Sequence, residues 1–167
     1  MPQRMNYAAA APDGMKALGS VHAYVSRSGL PATLIELVYL RVSQINGCAY
    51  CIAMHSRDLL EAGMPVGKLV LVPAWEEAGS LFTDQERAAL KWAELVTRIS
   101  DTHVSDHAYD EARAAFSEKE LADLTIAIGL MNAYNRLAVS FRAIPLAAPQ
   151  SSASRASRPQ FQSTRQR

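Results

Sequence analysis

Apolar residues recur at three- and four-residue intervals along nearly the whole stretch from Pro12 to Ile144, the spacing that lines one face of an α-helix. No stretch alternates apolar and polar positions for more than a few residues, and no tight-turn pair separates two β-branched runs, so an all-α chain is expected. A first helix is predicted from about Asp13 to Ser28, with Val21, Tyr24 and Val25 on its apolar face and Gly29 as its stop. Pro31 suits the first turn of a second helix, which runs to Asn46 and is halted by Asn46-Gly47. A third is predicted from near Cys48 to Ala62-Gly63, and a short fourth from Val66 to Val72, ended by Pro73. Thr83 with Glu86 and Ser117 with Glu120 form capping boxes, which open a fifth helix reaching about Ser100 and a long last one reaching about Arg142. Ser105 to Phe116 is predicted to form a helix between them. The total is about six or seven helices, with no internal repeat.

The second of these helices departs from ordinary amphipathic patterning. Leu34, Ile35, Leu37, Val38, Tyr39, Leu40, Val42 and Ile45 leave it apolar nearly all round, as in a helix covered on several sides. Such a helix needs more covering surface than a small domain readily supplies, so association into a homo-oligomer is expected. Glu36 sits within this apolar surround, where a carboxylate is costly unless partnered.

Composition places limits on the rest. The chain has 167 residues, 49% of them hydrophobic and 20% charged, which suits one globular domain and excludes the disordered and collagen-like classes. The formal net charge of +1 conceals an uneven distribution. Four arginines (Arg155, Arg158, Arg165 and Arg167) and no acid fall in residues 151–167, whereas residues 1–150 carry 13 basic against 16 acidic side chains. Residues 1–150 are therefore read as the folded domain. Residues 151–167 are read as a basic disordered tail, with too few apolar groups to offset the entropy of ordering. Near-neutral overall charge gives no reason to expect nucleic acid as a partner. The apolar run from Ile126 to Met131 is interrupted by Asn132, Asn135 and Arg136, far short of a membrane span. The opening MPQRMNYAAAAPDG lacks the apolar stretch of a secretory signal, so a cytoplasmic address and no membrane partner are expected.

The candidate chemistry lies between Glu36 and His55. Cys48 and Cys51 are the chain's two cysteines, and they follow Asn46-Gly47 as Cys-Ala-Tyr-Cys at the opening of the third helix. Unpaired N–H groups and the positive end of the helix dipole stabilise a thiolate there, and Cys-X-X-Cys at a helix start is a setting for reversible disulfide formation. His55 lies one turn beyond Cys51 on the same face. If the second and third helices fold back about Gly47, a rise of 1.5 Å per residue puts Glu36 roughly 16 Å, His55 roughly 12 Å and Cys51 roughly 6 Å from the turn. That order of acid, imidazole and thiol is what removal of a proton from a thiol requires. The two sulfurs are not equivalent. A helix start favours Cys48 as the nucleophile, whereas proximity to His55 favours Cys51.

Other roles for the pair are less well supplied by the sequence. A structural zinc site wants four ligands, and His22, His103 and His107 are not paired with the motif at ligand spacing, so no metal is expected and those histidines receive no role. A thioredoxin fold needs strands that the pattern lacks. Two buried structural cysteines beside an incidental histidine remain an alternative. Trp75, Trp92, Tyr134 and Phe141 are expected to be core or subunit-contact aromatics rather than pocket residues.

The segment ELVYLRVSQINGCAYCIAMH, Glu36 to His55, resembles the signature of the alkylhydroperoxidase D (AhpD)-like proteins within the carboxymuconolactone decarboxylase superfamily: Glu, eleven residues, Cys-X-X-Cys, three residues, His. A weaker likeness extends over about residues 5–145. The resemblance implies an orthogonal bundle of helices, assembly into trimers or hexamers, and cofactor-free reduction of peroxides. By position it implies Cys51 as the peroxidatic thiol, Cys48 as the resolving thiol, and Glu36 with His55 as the proton relay. The partners it implies are a peroxide, organic or hydrogen peroxide, and an external thiol or dithiol reductant such as a lipoyl protein or thioredoxin. The namesake enzyme has a histidine between the cysteines, where this chain has Tyr50, and it carries two copies of the helical unit, where this chain resembles shorter single-unit relatives. Decarboxylases of the superfamily lack the cysteine pair, which disfavours lactone decarboxylation here. A redox-responsive binding or scaffold protein, whose pair oxidises slowly and alters a helix end, is the alternative from outside enzymology.

Overall fold

Most of the start and stop residues read from the sequence fall at helix ends in the computed structural model, which describes residues 2–145. Nine α-helices and two 3-10 turns, with no strand, make up the described residues. In chain order the helices are α1 (Tyr7–Ala10), α2 (Pro12–Val25), α3 (Ala32–Ile45), α4 (Ala49–Glu61), α5 (Val66–Val70), α6 (Asp84–Thr97), α7 (Ile99–Thr102), α8 (Asp106–Ala115) and α9 (Glu118–Phe141). Both capping boxes form, at Thr83/Glu86 and Ser117/Glu120. The expected basic tail, residues 151–167, lies outside the described residues.

The two helices beyond the expected count are single turns. Asn6 caps α1 by accepting from the Ala9 N–H at 3.1 Å, which lets the alanine run turn once before Pro12. The fifth helix was expected to reach Ser100, but it stops at Thr97, and Arg98, with non-helical backbone, separates it from α7. The fourth helix, expected to run to Val72 and end at Pro73, stops at Val70, and Pro73 falls in the first turn of a 3-10 helix, Val72–Glu77, so the segment before α6 is coiled rather than open.

The all-round apolar α3 is the centre of the bundle and packs on α4, α6 and α9. Its Val38, Tyr39 and Val42 enter one core cluster with Trp92, Leu124, Ile128 and both cysteines. Leu37 and Leu40 point the other way, to Leu59, Trp75, Phe82 and Leu90. α2 departs from its pattern: Val25 is buried, but Tyr24 and Val21 are 48% and 36% exposed, so the apolar face read there is mostly uncovered in a single copy. Tyr24 is instead tied to α9, its hydroxyl donating to Asp123 Oδ1 at 2.6 Å.

Candidate active site

Gly47 makes the turn that sets up the site. Its φ of +66° lies in the left-handed region, which an L side chain enters only with strain, and it reverses the chain between α3 and α4. Cys48 follows as the N-cap of α4, with its Sγ accepting from the Cys51 N–H at 3.4 Å. A sulfur here replaces the Ser, Thr or Asp oxygen usual at a helix start. The two sulfurs stand 2.7 Å apart as free cysteines, and both residues are buried.

That geometry separates their acidities. The hydrogen bond with Cys51 is the largest influence on Cys48 and lowers it from an ordinary 9.0 to about 7, with help from the Cys51 backbone N–H, Asn135 and His55 and against the effect of burial. The same bond, then burial, then the neighbouring Cys48 charge, push Cys51 well above the thiol range. The pair thus ionises once near neutrality, with the charge resting on Cys48.

The helix reversal also brings Glu36 and His55 together. His55 Nδ1 and Glu36 Oε2 are 2.7 Å apart, linking α3 to α4. His55 is 3% exposed. Glu36 is less enclosed than its apolar neighbours suggest, its side chain being 26% exposed. Asp58 places a third ligand-type oxygen within 4.8 Å of these two groups. Its Oδ1 accepts from Arg57 at 2.9 Å, while His55 Nδ1 is paired with Glu36.

In front of Cys51 is a cavity of about 280 Å³, lined by Tyr7, Met15, His22, Tyr39, Tyr50, Met54, His55, Met131, Tyr134 and Ala138. Cys48 does not line it. The more acidic sulfur is therefore behind, and the sulfur that meets the cavity is Cys51. A larger open groove of about 480 Å³, lined by Trp75, Arg87, Lys91, Trp92 and Glu111 among others, touches neither cysteine nor His55 nor Glu36.

Several residues at the site lacked a sequence signal. Tyr134, read as core or contact, lines the cavity, because α9 turns that face toward α4. His22, given no role, lines it as well. Tyr7 reaches it because Arg4 anchors the N-terminal segment to the end of α9, donating from its backbone to the Phe141 carbonyl at 2.9 Å and from its guanidinium to the Ser140 carbonyl at 2.9 Å. Asn135, read only as a break in an apolar run, is 1% exposed, donates to Ser43 Oγ at 3.1 Å and accepts from Asn46 at 2.9 Å. It favours the charged form of either sulfur. A polar residue on an otherwise apolar helix face was the available signal. Trp75 and Trp92 are buried in the core, as expected, and both also border the open groove.

Residues 10–95, which contain Glu36, Cys48, Cys51 and His55, match the carboxymuconolactone decarboxylase family. The uncharacterized protein YdfG of Bacillus subtilis (strain 168) is 35% identical over 140 residues, 84% of this chain and 95% of that protein. A solved structure of ATU0492 from Agrobacterium tumefaciens, a protein of unknown function described as a candidate antioxidant defence protein AhpD, superposes with a TM-score of 0.84 at 40% identity, covering 88% of this chain and 100% of that one. An uncharacterized peroxidase-related protein from Ralstonia eutropha JMP134, described as an AhpD core, shares the fold at 22% identity, with a TM-score of 0.73 and coverage of 84% and 75%.

Proposed function

This chain belongs to the carboxymuconolactone decarboxylase family, and from that premise we propose that it is a two-cysteine peroxidase of the alkyl hydroperoxide reductase type, acting on organic hydroperoxides or hydrogen peroxide. The observation that carries the reading is the placement of the two free thiols. They are 2.7 Å apart at a helix start, and only Cys51 faces a cavity it shares with a histidine paired to a carboxylate. The description of the Agrobacterium relative as a candidate antioxidant protein supports it.

The two acidities assign successive tasks. The pair carries one charge near neutrality, and the attacking form is the minor one in which that charge has passed to Cys51, its proton moving to Cys48 across the short contact. Its sulfur attacks the terminal oxygen of the peroxide, the O–O bond breaks, and Cys51 becomes a sulfenic acid while the other oxygen leaves as an alcohol or water. His55, oriented by Glu36, supplies the proton to the leaving oxygen and removes one from Cys48. The Cys48 thiolate then attacks the Cys51 sulfur, expelling water and forming the Cys48–Cys51 disulfide. An external dithiol, such as a lipoyl protein or thioredoxin, returns the pair to the reduced state. No cofactor enters this cycle. The working form is a homotrimer or homohexamer, in which neighbours cover apolar residues such as Val21 and Tyr24 on α2.

A steady-state assay tests the reading: peroxide is supplied with dithiothreitol, a lipoyl protein or thioredoxin, and many equivalents are consumed per chain with at least one donor. Consumption of a single equivalent followed by arrest with every donor, in folded protein, contradicts it and favours a redox-responsive binding protein.

A further inference from the structure

The cavity in front of Cys51 is largely apolar, yet two of the residues that line it each hold a buried polar atom for which the described residues supply no partner. His55 Nε2 and Tyr39 Oη are both enclosed, and neither makes a hydrogen bond among the described residues. They belong to adjacent rings, with centroids 5.2 Å apart, and both residues line the cavity with Cys51. Tyr39 is 0% exposed and comes from the middle of α3, the most firmly packed helix, so its ring position is fixed. A buried hydroxyl without a partner is destabilising, and an apolar isostere, Phe, would fill the same space without that cost. A bonding role toward a bound molecule is what the hydroxyl offers in return.

We propose that Tyr39 is a further catalytic residue, whose hydroxyl donates a hydrogen bond to the leaving oxygen of the peroxide while Cys51 attacks the other oxygen. The inference rests on the peroxidase reading above. As the Cys51 sulfur forms its bond to the terminal oxygen, the O–O bond breaks and its electron pair goes to the leaving oxygen. Negative charge develops there in a largely apolar cavity, where a hydrogen-bond donor aimed at it stabilises it most. Tyr39 Oη–H stabilises that charge, and the proton that completes the alcohol comes by way of His55, whose Nδ1 faces Glu36. Burial, first, and the Glu36 charge hold the phenol far above its ordinary 10.0, so Tyr39 keeps its proton throughout and acts as a donor. His22, whose ring centroid lies 6.3 Å from that of Tyr39, borders the same tyrosine from α2.

The test compares Tyr39→Phe with the wild-type chain in single-turnover oxidation of Cys51 by two oxidants. With tert-butyl hydroperoxide the leaving group is a strongly basic alkoxide, and the variant is expected to be slower on the order of a hundredfold. With peracetic acid the leaving group is acetate, a weak base that needs little help, and the loss is expected to be about twofold or less. Reaction of Cys51 with a disulfide reagent, which involves no O–O cleavage, is expected to be unchanged. Equal rates for variant and wild type with tert-butyl hydroperoxide overturn the role of Tyr39 and leave the peroxidase reading standing. Equal slowing with both oxidants and with the disulfide reagent also overturns it, since Tyr39 would then act on the thiol or on pocket shape. Failure of the wild-type chain to form a sulfenic acid with either oxidant overturns the peroxidase reading and this inference with it.

Discussion

Cys48 shows how a residue's role depends on where its backbone places it. A thiol at the N-cap receives a backbone N–H and the hydrogen bond of its partner, and its acidity rises accordingly. The expected titration is one thiolate per chain with a midpoint near 7, followed by absorbance at 240 nm, and no second thiolate up to about pH 10. Thiolate formation is deprotonation, so the rate of any thiolate-dependent step rises with pH through 7 and then levels off. Removing the largest cause reverses the shift: in Cys51→Ala, which takes away the donor thiol, the Cys48 midpoint moves up toward 9.0, and two thiolates appearing together near 8.5 in the wild-type chain would contradict the assignment. The pairing of Glu36 with His55 was legible in the sequence from helical rise and one turn. The identities of Tyr39, His22 and Tyr134 as cavity residues were not, because their partners come from α2, α4 and α9, far apart in sequence, and apolar spacing alone does not tell a cavity wall from a core.

Among the elements, the turn at Gly47 and the tie between α2 and α9 bear most on the site. In Gly47→Ala the methyl meets no neighbouring atom, but φ is +66°, so a loss of roughly 1–2 kcal/mol is expected, seen as a melting temperature lower by several degrees. An unchanged melting temperature would show that the turn relaxes. Asp123, 1% exposed, accepts from Tyr24 at 2.6 Å and from Lys119 at 2.6 Å. Burial opposes its charge, but those two donors hold its carboxyl below the ordinary 3.8. Stability from this group is therefore present above pH 3.8 and lost as pH falls through the lower folded value. Asp123→Ala is expected to cost about 1–3 kcal/mol at neutral pH, and the gap to the wild-type chain is expected to narrow below about pH 4; a gap independent of pH would remove the charge from the explanation. Caps and glycines made the long helices legible. The single turns α1 and α7 were missed because four-residue helices carry no periodicity, and they exist through a local cap at Asn6 and a backbone break at Arg98.

For the molecule as a whole, the all-α fold was readable from periodicity, and the centrality of α3 from its lack of a polar face. What the pattern misjudged was α2, whose apolar side is largely exposed in one copy. The proposed assembly follows from that surface and from exposed Val66 and Val70 on α5. Sedimentation at micromolar concentration is expected to give three or six times the 18.2 kDa chain mass, and a mass of one chain would contradict it. The proposed catalytic cycle stands most directly on which sulfur meets the peroxide. The deciding measurement is trapping of sulfenic acid with a dimedone-type probe, read by mass spectrometry, in Cys48→Ser and Cys51→Ser after one equivalent of peroxide. Labelling at Cys51 in the Cys48→Ser chain, formed more slowly because the thiolate that takes the Cys51 proton is gone and with turnover stalled for lack of a resolving thiol, and no labelling in the Cys51→Ser chain, is the expected result. Labelling that survives in Cys51→Ser and vanishes in Cys48→Ser would contradict it, making the acidic helix-cap sulfur the site of attack.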